Sequence, residues 1–225
     1  MADTTLADWR RVDDYLSTNL VDDDPALTAA RADSLAAGLP PIDVTPLIGK
    51  FMHLLARMTG ARRVLEVGTL GGHSTIWLAR GIPRDGHVVT LELLQKHADV
   101  ARANLERAGV SGQVEIIVGR AIDTLPRLAE EGVEPFDLVF IDADKESSAD
   151  YVDWAIRLGR PGTVIVVDNV VRAGEVANPS SRDAMALGSR RALELLGSDP
   201  RLDATAMQTV GAKGWDGMAV AIVVE

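Results

Sequence analysis

The stretch Val64-Leu65-Glu66-Val67-Gly68-Thr69-Leu70-Gly71-Gly72-His73-Ser74 decides the fold. Val64 to Val67 is a short apolar run of the kind that forms a parallel strand buried on both faces. Three glycines then mark a tight turn, and the amphipathic segment Ser74–Arg80 follows. Strand, glycine turn and helix start together make a place where backbone N–H groups and a helix N-terminus face a ligand.

Downstream, the same unit repeats. Strands are expected at Arg63–Val67, His87–Glu92, Val114–Val118, Phe136–Ile141 and Thr163–Val167. Helical segments follow each of them, at Ser74–Arg80, Gln95–Ala108, Ala121–Glu131, Ala149–Leu158 and Arg182–Leu196. This alternation predicts an α/β fold with a parallel sheet and right-handed crossovers. Two further strands, Ala204–Val210 and Met218–Val224, flank Gly211–Gly217. That spacing predicts a hairpin with a seven-residue turn, which makes the last strand antiparallel.

Upstream, residues 1–59 read as helical. Leu6 to Leu20 has apolar residues at helical spacing. Asp24-Pro25 and Thr45-Pro46 are N-cap–proline start signals. The second helix is expected to run to about Ala37, where Gly38 and Pro40-Pro41 end it. The third carries Leu47, Ile48, Phe51, Leu54, Leu55 and Met58 on one face and ends at Gly60. The loop from Gly38 to Val44 leads into it and can lie over a site.

The totals exclude several function classes. The 225 residues fit a single domain of residues 1–225, with a helical cap over 1–59 and an α/β core over 60–225. The net charge of −10 opposes a general nucleic-acid binder or an acidic-membrane binder. There is no cysteine, so disulfides, thiolate catalysis and zinc–thiolate sites are excluded. The polar start Met1-Ala2-Asp3-Thr4 lacks an apolar leader segment, and no apolar run is long enough to span a membrane. A cytoplasmic protein is expected.

In open α/β sheets, ligands bind beyond the carboxyl ends of the strands. Strand one ends in Glu-x-Gly-x-x-x-Gly. A dinucleotide fingerprint needs a glycine where Leu70 stands, so a smaller ligand is expected at this turn. Strand two ends in Glu92, about 20 residues on, at a spacing suited to a ribose diol. Strand three ends in Gly119-Arg120-Ala121, where a small residue leaves room for a flat ring. Strand four ends in Asp142-Ala143-Asp144-Lys145 and strand five in Asp168-Asn169. Neighbouring strands lie about 4.8 Å apart, so Asp142, Asp168 and Asn169 can converge. Two carboxylates and an amide oxygen are hard donors suited to Mg²⁺. Beside such an ion, Lys145 would release its proton more readily and could act as a base. His53, His73, His87 and His97 show no ligand spacing and receive no functional role, His87 reading as strand surface.

These residues resemble the class I S-adenosylmethionine-dependent methyltransferases, more narrowly the cation-dependent O-methyltransferases of the catechol and caffeoyl-CoA type. The matching pieces are residues 64–74, Glu92, Gly119-x-Ala121, Phe140–Lys145, Asp168-Asn169 and Lys213-Gly214-x-Asp216-Gly217. The resemblance implies a Rossmann-like, seven-stranded, mostly parallel sheet with helices on both faces. It implies that Val44, Glu66, Gly68, Thr69 and Ser74 surround the methionine part of S-adenosylmethionine. Glu92 would hold the ribose, and Ala121 would sit beside adenine. Asp142, Asp168 and Asn169 would bind Mg²⁺ or a similar cation, with Asp142 also near the cofactor's amino group. Lys145 would be the general base toward a phenolic, catechol-like acceptor, and a homodimer is expected. Two positions depart from the plant-type pattern: Ser148 stands where a tyrosine is usual, and Arg172 where a tryptophan is usual. Both bear on the acceptor side and oppose a CoA-thioester substrate. The rival readings are a metal-independent methyltransferase, a nucleotide-binding oxidoreductase and a non-catalytic cofactor-binding module. The two acidic strand ends, Leu70 and Lys145, respectively, oppose them.

Overall fold

The computed structural model describes residues 4–22 and 24–225. The polar start Met1-Ala2-Asp3 lies outside the described residues. Three helices come first: α1 (Leu6–Leu20), α2 (Pro25–Ala36) and α3 (Pro46–Met58). Each begins at a side-chain cap. Thr5 and Asp8 form a reciprocal capping box on α1, Asp24 accepts from the N–H groups of Ala26 and Leu27, and Thr45 accepts from Ile48 N–H. Both aspartate/threonine–proline signals therefore start helices where expected, with proline supplying a preset φ at N1.

The core alternates strand and helix: β1 (Arg63–Val67), α4 (His73–Gly81), β2 (His87–Glu92), α5 (Gln95–Arg107), β3 (Val114–Val118), α6 (Ala121–Glu130), β4 (Leu138–Ile141), α7 (Ser148–Arg157), β5 (Val164–Asp168) and α8 (Ala184–Ser198). The strands β6 (Leu202–Gly211) and β7 (Gly214–Val223) complete a seven-stranded sheet in the order β3-β2-β1-β4-β5-β7-β6. β1 through β5 pair in parallel, and β7 runs antiparallel to both β5 and β6. The expected parallel sheet with an antiparallel last strand is the one observed.

One expectation is corrected. The hairpin turn is Ala212-Lys213 alone, because Gly211 pairs with Gly214, Val210 with Trp215 and Gln208 with Gly217. The glycines that read as a long turn lie inside two ten-residue strands. Gly217 is small because a Cβ there would meet Met207 O at 2.4 Å and the Val171 side chain at 2.6 Å.

Both sheet faces are covered. Leu65, Val67, Val139, Ile141, Ile165 and Val167 pack with side chains of α6, α7 and α8 on one face. Val64, Val88, Leu138, Phe140 and Val166 pack with Met52, Ile76 and Leu78 of α3 and α4 on the other. This double burial explains the near-continuous apolar strands. Each fully buried large side chain, Phe136 and Phe140 among them, contributes about 1.5–3 kcal/mol. α3 meets α4 closely enough that a Cβ on Gly49 would lie 2.3 Å from the Trp77 ring. α3 is thereby held against α4 on that face, and α2 meets the glycine turn after β1, where a Cβ on Gly71 would lie 1.9 Å from the Ser34 hydroxyl oxygen. Among the described residues, no helix is long and apolar enough to cross a membrane.

Candidate active site

The turn after β1 is built by close approach. Gly68 has φ +106°, and a Cβ on it would sit 2.2 Å from the Asp142 backbone oxygen. Only glycine lets the ends of β1 and β4 meet in this way. Leu70, left-handed at φ 50°, is held by its N–H donating to Glu92 Oε2 at 2.8 Å. Glu92 is buried, and its Oε1 also accepts from Leu94 N–H at 3.0 Å and faces His97 Nδ1 at 3.2 Å.

Beneath the turn, Glu66 is fully buried. Thr75 and Thr90 donate to its Oε2 at 2.5 and 2.6 Å, and the Thr69 hydroxyl lies 2.6 Å from that of Thr90. Glu66 Oε1 has no hydrogen-bond partner. Burial pushes this carboxyl up to about 7; the Ser74, Thr75 and Thr90 hydroxyls oppose that rise and the Asp142 charge adds to it. An unpaired oxygen in such a place is costly unless a donor arrives to meet it.

At the next two strand ends, Ile141 pairs with Val167, so Asp142 and Asp168 follow side by side. Lys145 Nζ donates to Asp142 Oδ1 at 2.7 Å. Lys145 is buried beneath α8, where a Cβ on Gly188 would meet the Lys145 carbonyl oxygen at 2.1 Å. Burial, with the Asp142 charge adding, pushes Asp168 up to about 7, against the pull of Lys145 and of the Asn169 N–H that donates to it at 2.8 Å. Asn169 is left-handed at φ 60°, and its carbonyl oxygen accepts from the Ser189 hydroxyl at 3.2 Å. Two carboxylates pressed together in this way favour a cation between them. Among the described residues no group of three or more His, Cys, Asp or Glu side chains gathers as a metal cage. Asp142, Asp168 and Asn169 bring two carboxylates and an amide to neighbouring strand ends.

A cavity of about 730 Å³ opens over these strand ends, within the range of small-molecule sites. Val44, Gly68, Thr69, Ser74, Glu92, Ala121, Asp142, Lys145 and Asn169 line it. Glu66 and Asp168 are not among its lining residues, though their chain neighbours Val67 and Asn169 are. The loop carrying Val44 covers one side. Asp43 in that loop pairs with Arg31 at 2.7 Å, and its carbonyl oxygen accepts from Lys213 at the tip of the β6–β7 hairpin. The hairpin tip is tied to α1, where Asp13 accepts from Ala212 N–H and Arg10 donates to the Ala212 carbonyl oxygen.

His73, His97 and Lys213 are among the residues near the cavity that received no site role from the sequence. His73 and His97 line it, and Lys213 braces its cover. Burial pushes His73 down to about 4, so it is neutral at neutral pH. Its place inside the glycine stretch was the available signal. For Lys213 the signal was the Lys-Gly-x-Asp-Gly match. His87 lies partly exposed on β2, as expected of a strand-surface residue.

The residues present fit the cofactor that the sequence pointed to. The unpartnered Glu66 oxygen suits an ammonium group, Glu92 keeps lone-pair capacity for a diol, and Gly119, Ala121 and Ile122 form a wall of small and apolar groups. Comparison with known proteins agrees. The O-methyltransferase family model matches residues 17–222. The chain is 61% identical over 212 residues to a catechol O-methyltransferase of Mycobacterium tuberculosis, covering 94% of each chain. It is 51% identical over 215 residues to a catechol O-methyltransferase of Niastella koreensis, covering 96% of this chain and 97% of that one. An O-methyltransferase of Bacillus cereus solved in complex with S-adenosylhomocysteine superposes with a TM-score of 0.96 at 51% identity, covering 97% of this chain and 100% of that one. One of Streptomyces achromogenes, involved in tomaymycin synthesis and solved with S-adenosylmethionine, gives 0.95 at 46% identity, covering 99% and 100%. The chain belongs to the O-methyltransferase family and is an S-adenosylmethionine-dependent O-methyltransferase.

Proposed function

We propose that this enzyme is divalent-cation-dependent and methylates one hydroxyl of a catechol-like small molecule. The observation that carries the reading is the pairing of Asp142 and Asp168 at adjacent strand ends, with Asn169 and Lys145 beside them at the cavity. Two relatives named catechol O-methyltransferase, at 61% and 51% identity, support the acceptor class.

In this reading Val44, Glu66, Gly68, Thr69 and Ser74 hold the methionine part of the cofactor, with Glu66 Oε1 and Asp142 toward its amino group. Glu92 takes the ribose hydroxyls and Ala121 flanks adenine. Asp142, Asp168 and Asn169 hold Mg²⁺ or a similar ion. Bound there, the cation would supply positive charge that favours ionisation of an acceptor hydroxyl, whose unperturbed pKa is about 10. Lys145, whose Nζ lies 2.7 Å from Asp142 Oδ1, would enter the step as the neutral amine, its own proton having passed to solvent. Lys145 Nζ then takes the acceptor's proton. The phenolate oxygen forms a bond to the methyl carbon as the carbon–sulfur bond breaks, leaving S-adenosylhomocysteine. The walls contribute by holding oxygen, carbon and sulfur in line. The residue 1–59 helices act as the cap of a single catalytic unit. Exposed apolar groups on α1 and the sheet edge, including Tyr15, Leu20, Met207 and Val210, are suited to a homodimer contact.

Titration calorimetry with Mg²⁺ in the presence of S-adenosylhomocysteine tests the metal assignment. Saturable binding is expected in wild type and its loss in Asp168→Asn. No binding in the wild type under these conditions would favour a metal-independent methyltransferase.

A further inference from the structure

The segment after Asn169 is held in an unusual shape. Arg172, Ala173 and Gly174 are all left-handed, at φ 55°, 52° and 88°. Side-chain-bearing residues resist this conformation, so something must enforce it. Asp216 does so from β7: its Oδ1 accepts the N–H groups of Val171 at 3.0 Å, Arg172 at 3.0 Å and Gly217 at 2.9 Å. The Trp215 ring closes over Gly174, where a Cβ would lie 2.9 Å from it. The result directs one long cationic side chain, that of Arg172, to the wall of the cavity.

That guanidinium makes one long ion pair and no hydrogen bond to oxygen among the described residues. Its Nε is buried and makes no hydrogen bond. Nη1 lies 3.9 Å from Asp216 Oδ2, beyond hydrogen-bond reach, and Nη2 has only the Met185 sulfur at 3.4 Å. Among the described residues, no oxygen acceptor receives a hydrogen bond from it. Asp216 Oδ1 is satisfied by three backbone N–H groups, and the guanidinium reaches only Oδ2, as a long ion pair. Arginine stays charged at any working pH and offers a planar fork that matches a carboxylate. Arg172 stands three residues after Asn169 at the end of β5. Two sheet positions separate β5 from the β1 turn that would hold the cofactor's methionine part, which puts the fork on the acceptor side.

We propose that Arg172 is the anion receptor of the acceptor pocket, and that the preferred acceptor is a catechol whose ring carries a carboxylate. This rests on the catechol reading above. The fork binds the carboxylate while the two hydroxyls face Asp142, Asp168 and Asn169. Met185, beside Arg172 on the cavity wall, gives the ring an apolar surface between those two ends.

The test uses 3,4-dihydroxybenzoate and its methyl ester as acceptors, with S-adenosylmethionine and Mg²⁺. Wild type is expected to favour the acid by kcat/KM. In Arg172→Gln the acid-to-ester ratio should fall by about ten- to hundredfold, through KM for the acid, as expected when a charge-assisted hydrogen-bond pair is lost. Arg172→Lys, which keeps the charge without the fork, should fall between the two. A variant-free arm covers misfolding: benzoate should inhibit wild-type methylation of the ester competitively, and benzamide should not. A ratio within twofold of wild type in Arg172→Gln, a wild-type preference for the ester, or equal inhibition by benzoate and benzamide overturns the proposal while leaving catechol methylation intact. If wild type methylates neither compound, the catechol reading fails and this inference falls with it.

Discussion

Replacing Glu66 with glutamine should make the protein more stable at alkaline pH while weakening its hold on the cofactor. Glu66 is fully buried and pushed up to about 7 from an ordinary value of 4.5, so the folded protein holds that proton more tightly than the unfolded chain does. A carboxyl raised on folding gives stability that is complete below the unfolded value and is lost as pH rises through the folded one. A shift of about 2.5 units corresponds to about 3 kcal/mol when fully developed, most of it falling between pH 5 and 8. Glutamine carries no charge to desolvate. Its oxygen can still accept from Thr75 and Thr90, which both donate to the same carboxylate oxygen. Urea unfolding of wild type and Glu66→Gln at pH 5, 6, 7 and 8 measures the difference. Asp168 titrates in a similar window in both proteins and largely cancels. The stability of Glu66→Gln relative to wild type should rise by about 2–3 kcal/mol from pH 5 to pH 8. Its affinity for S-adenosylhomocysteine should fall about tenfold or more, because a charge-assisted hydrogen bond to Oε1 is lost. A stability difference that does not change with pH would refute the burial argument. Unchanged cofactor affinity would refute the placement of Glu66 at the cofactor's amino group.

Other substitutions probe other parts of the account. Lys145→Ala should lower kcat by about 10²-fold or more in single-turnover assays, with calorimetry still showing cofactor binding; undiminished turnover of a good catechol would remove Lys145 as the base. Gly68→Ala should cost about 2 kcal/mol or more, read as a drop in Tm, since its Cβ would fall 2.2 Å from the Asp142 oxygen. A wild-type Tm there would mean the turn has room. Asp216→Ala removes the acceptor of three backbone N–H groups and should raise KM for the acceptor and speed hydrogen exchange at Val171 and Arg172. Unchanged exchange at both would show that Asp216 does not set the loop.

Much of this architecture was readable from the chain because its strands are buried on both faces. β1, β2 and β3 occupy the expected residues at both ends. β4 starts two residues later than expected, and β5 is offset by one. Phe136 and Thr163 are apolar or β-branched like strand residues, yet the Phe136 N–H donates to Leu158 O and the Thr163 N–H to Arg160 O, both in connections outside the parallel ladder. The hairpin misled for the opposite reason. Glycine density normally marks a turn, but Gly217 is a packing requirement inside β7. Local order in the sequence was enough to put Asp142, Lys145, Asp168 and Asn169 at neighbouring strand ends, because β4 and β5 are adjacent and parallel. It could not reveal that Lys213, 170 residues from Asp43, reaches that residue's carbonyl. Nor could it show that Asp216 shapes the loop of Arg172. Those contacts depend on the hairpin folding back over the sheet end, which carries no periodic signal.

The central claim is that methyl transfer to a vicinal diol depends on a cation held by Asp142, Asp168 and Asn169. Its most direct test is turnover of 3,4-dihydroxybenzoate or its ester with S-adenosylmethionine, measured after chelation and again after Mg²⁺ is restored, in wild type and in Asp168→Asn. Activity should be lost on chelation, return with Mg²⁺ in wild type and not return at the same Mg²⁺ concentration in Asp168→Asn. Full turnover in the presence of the chelator would contradict it.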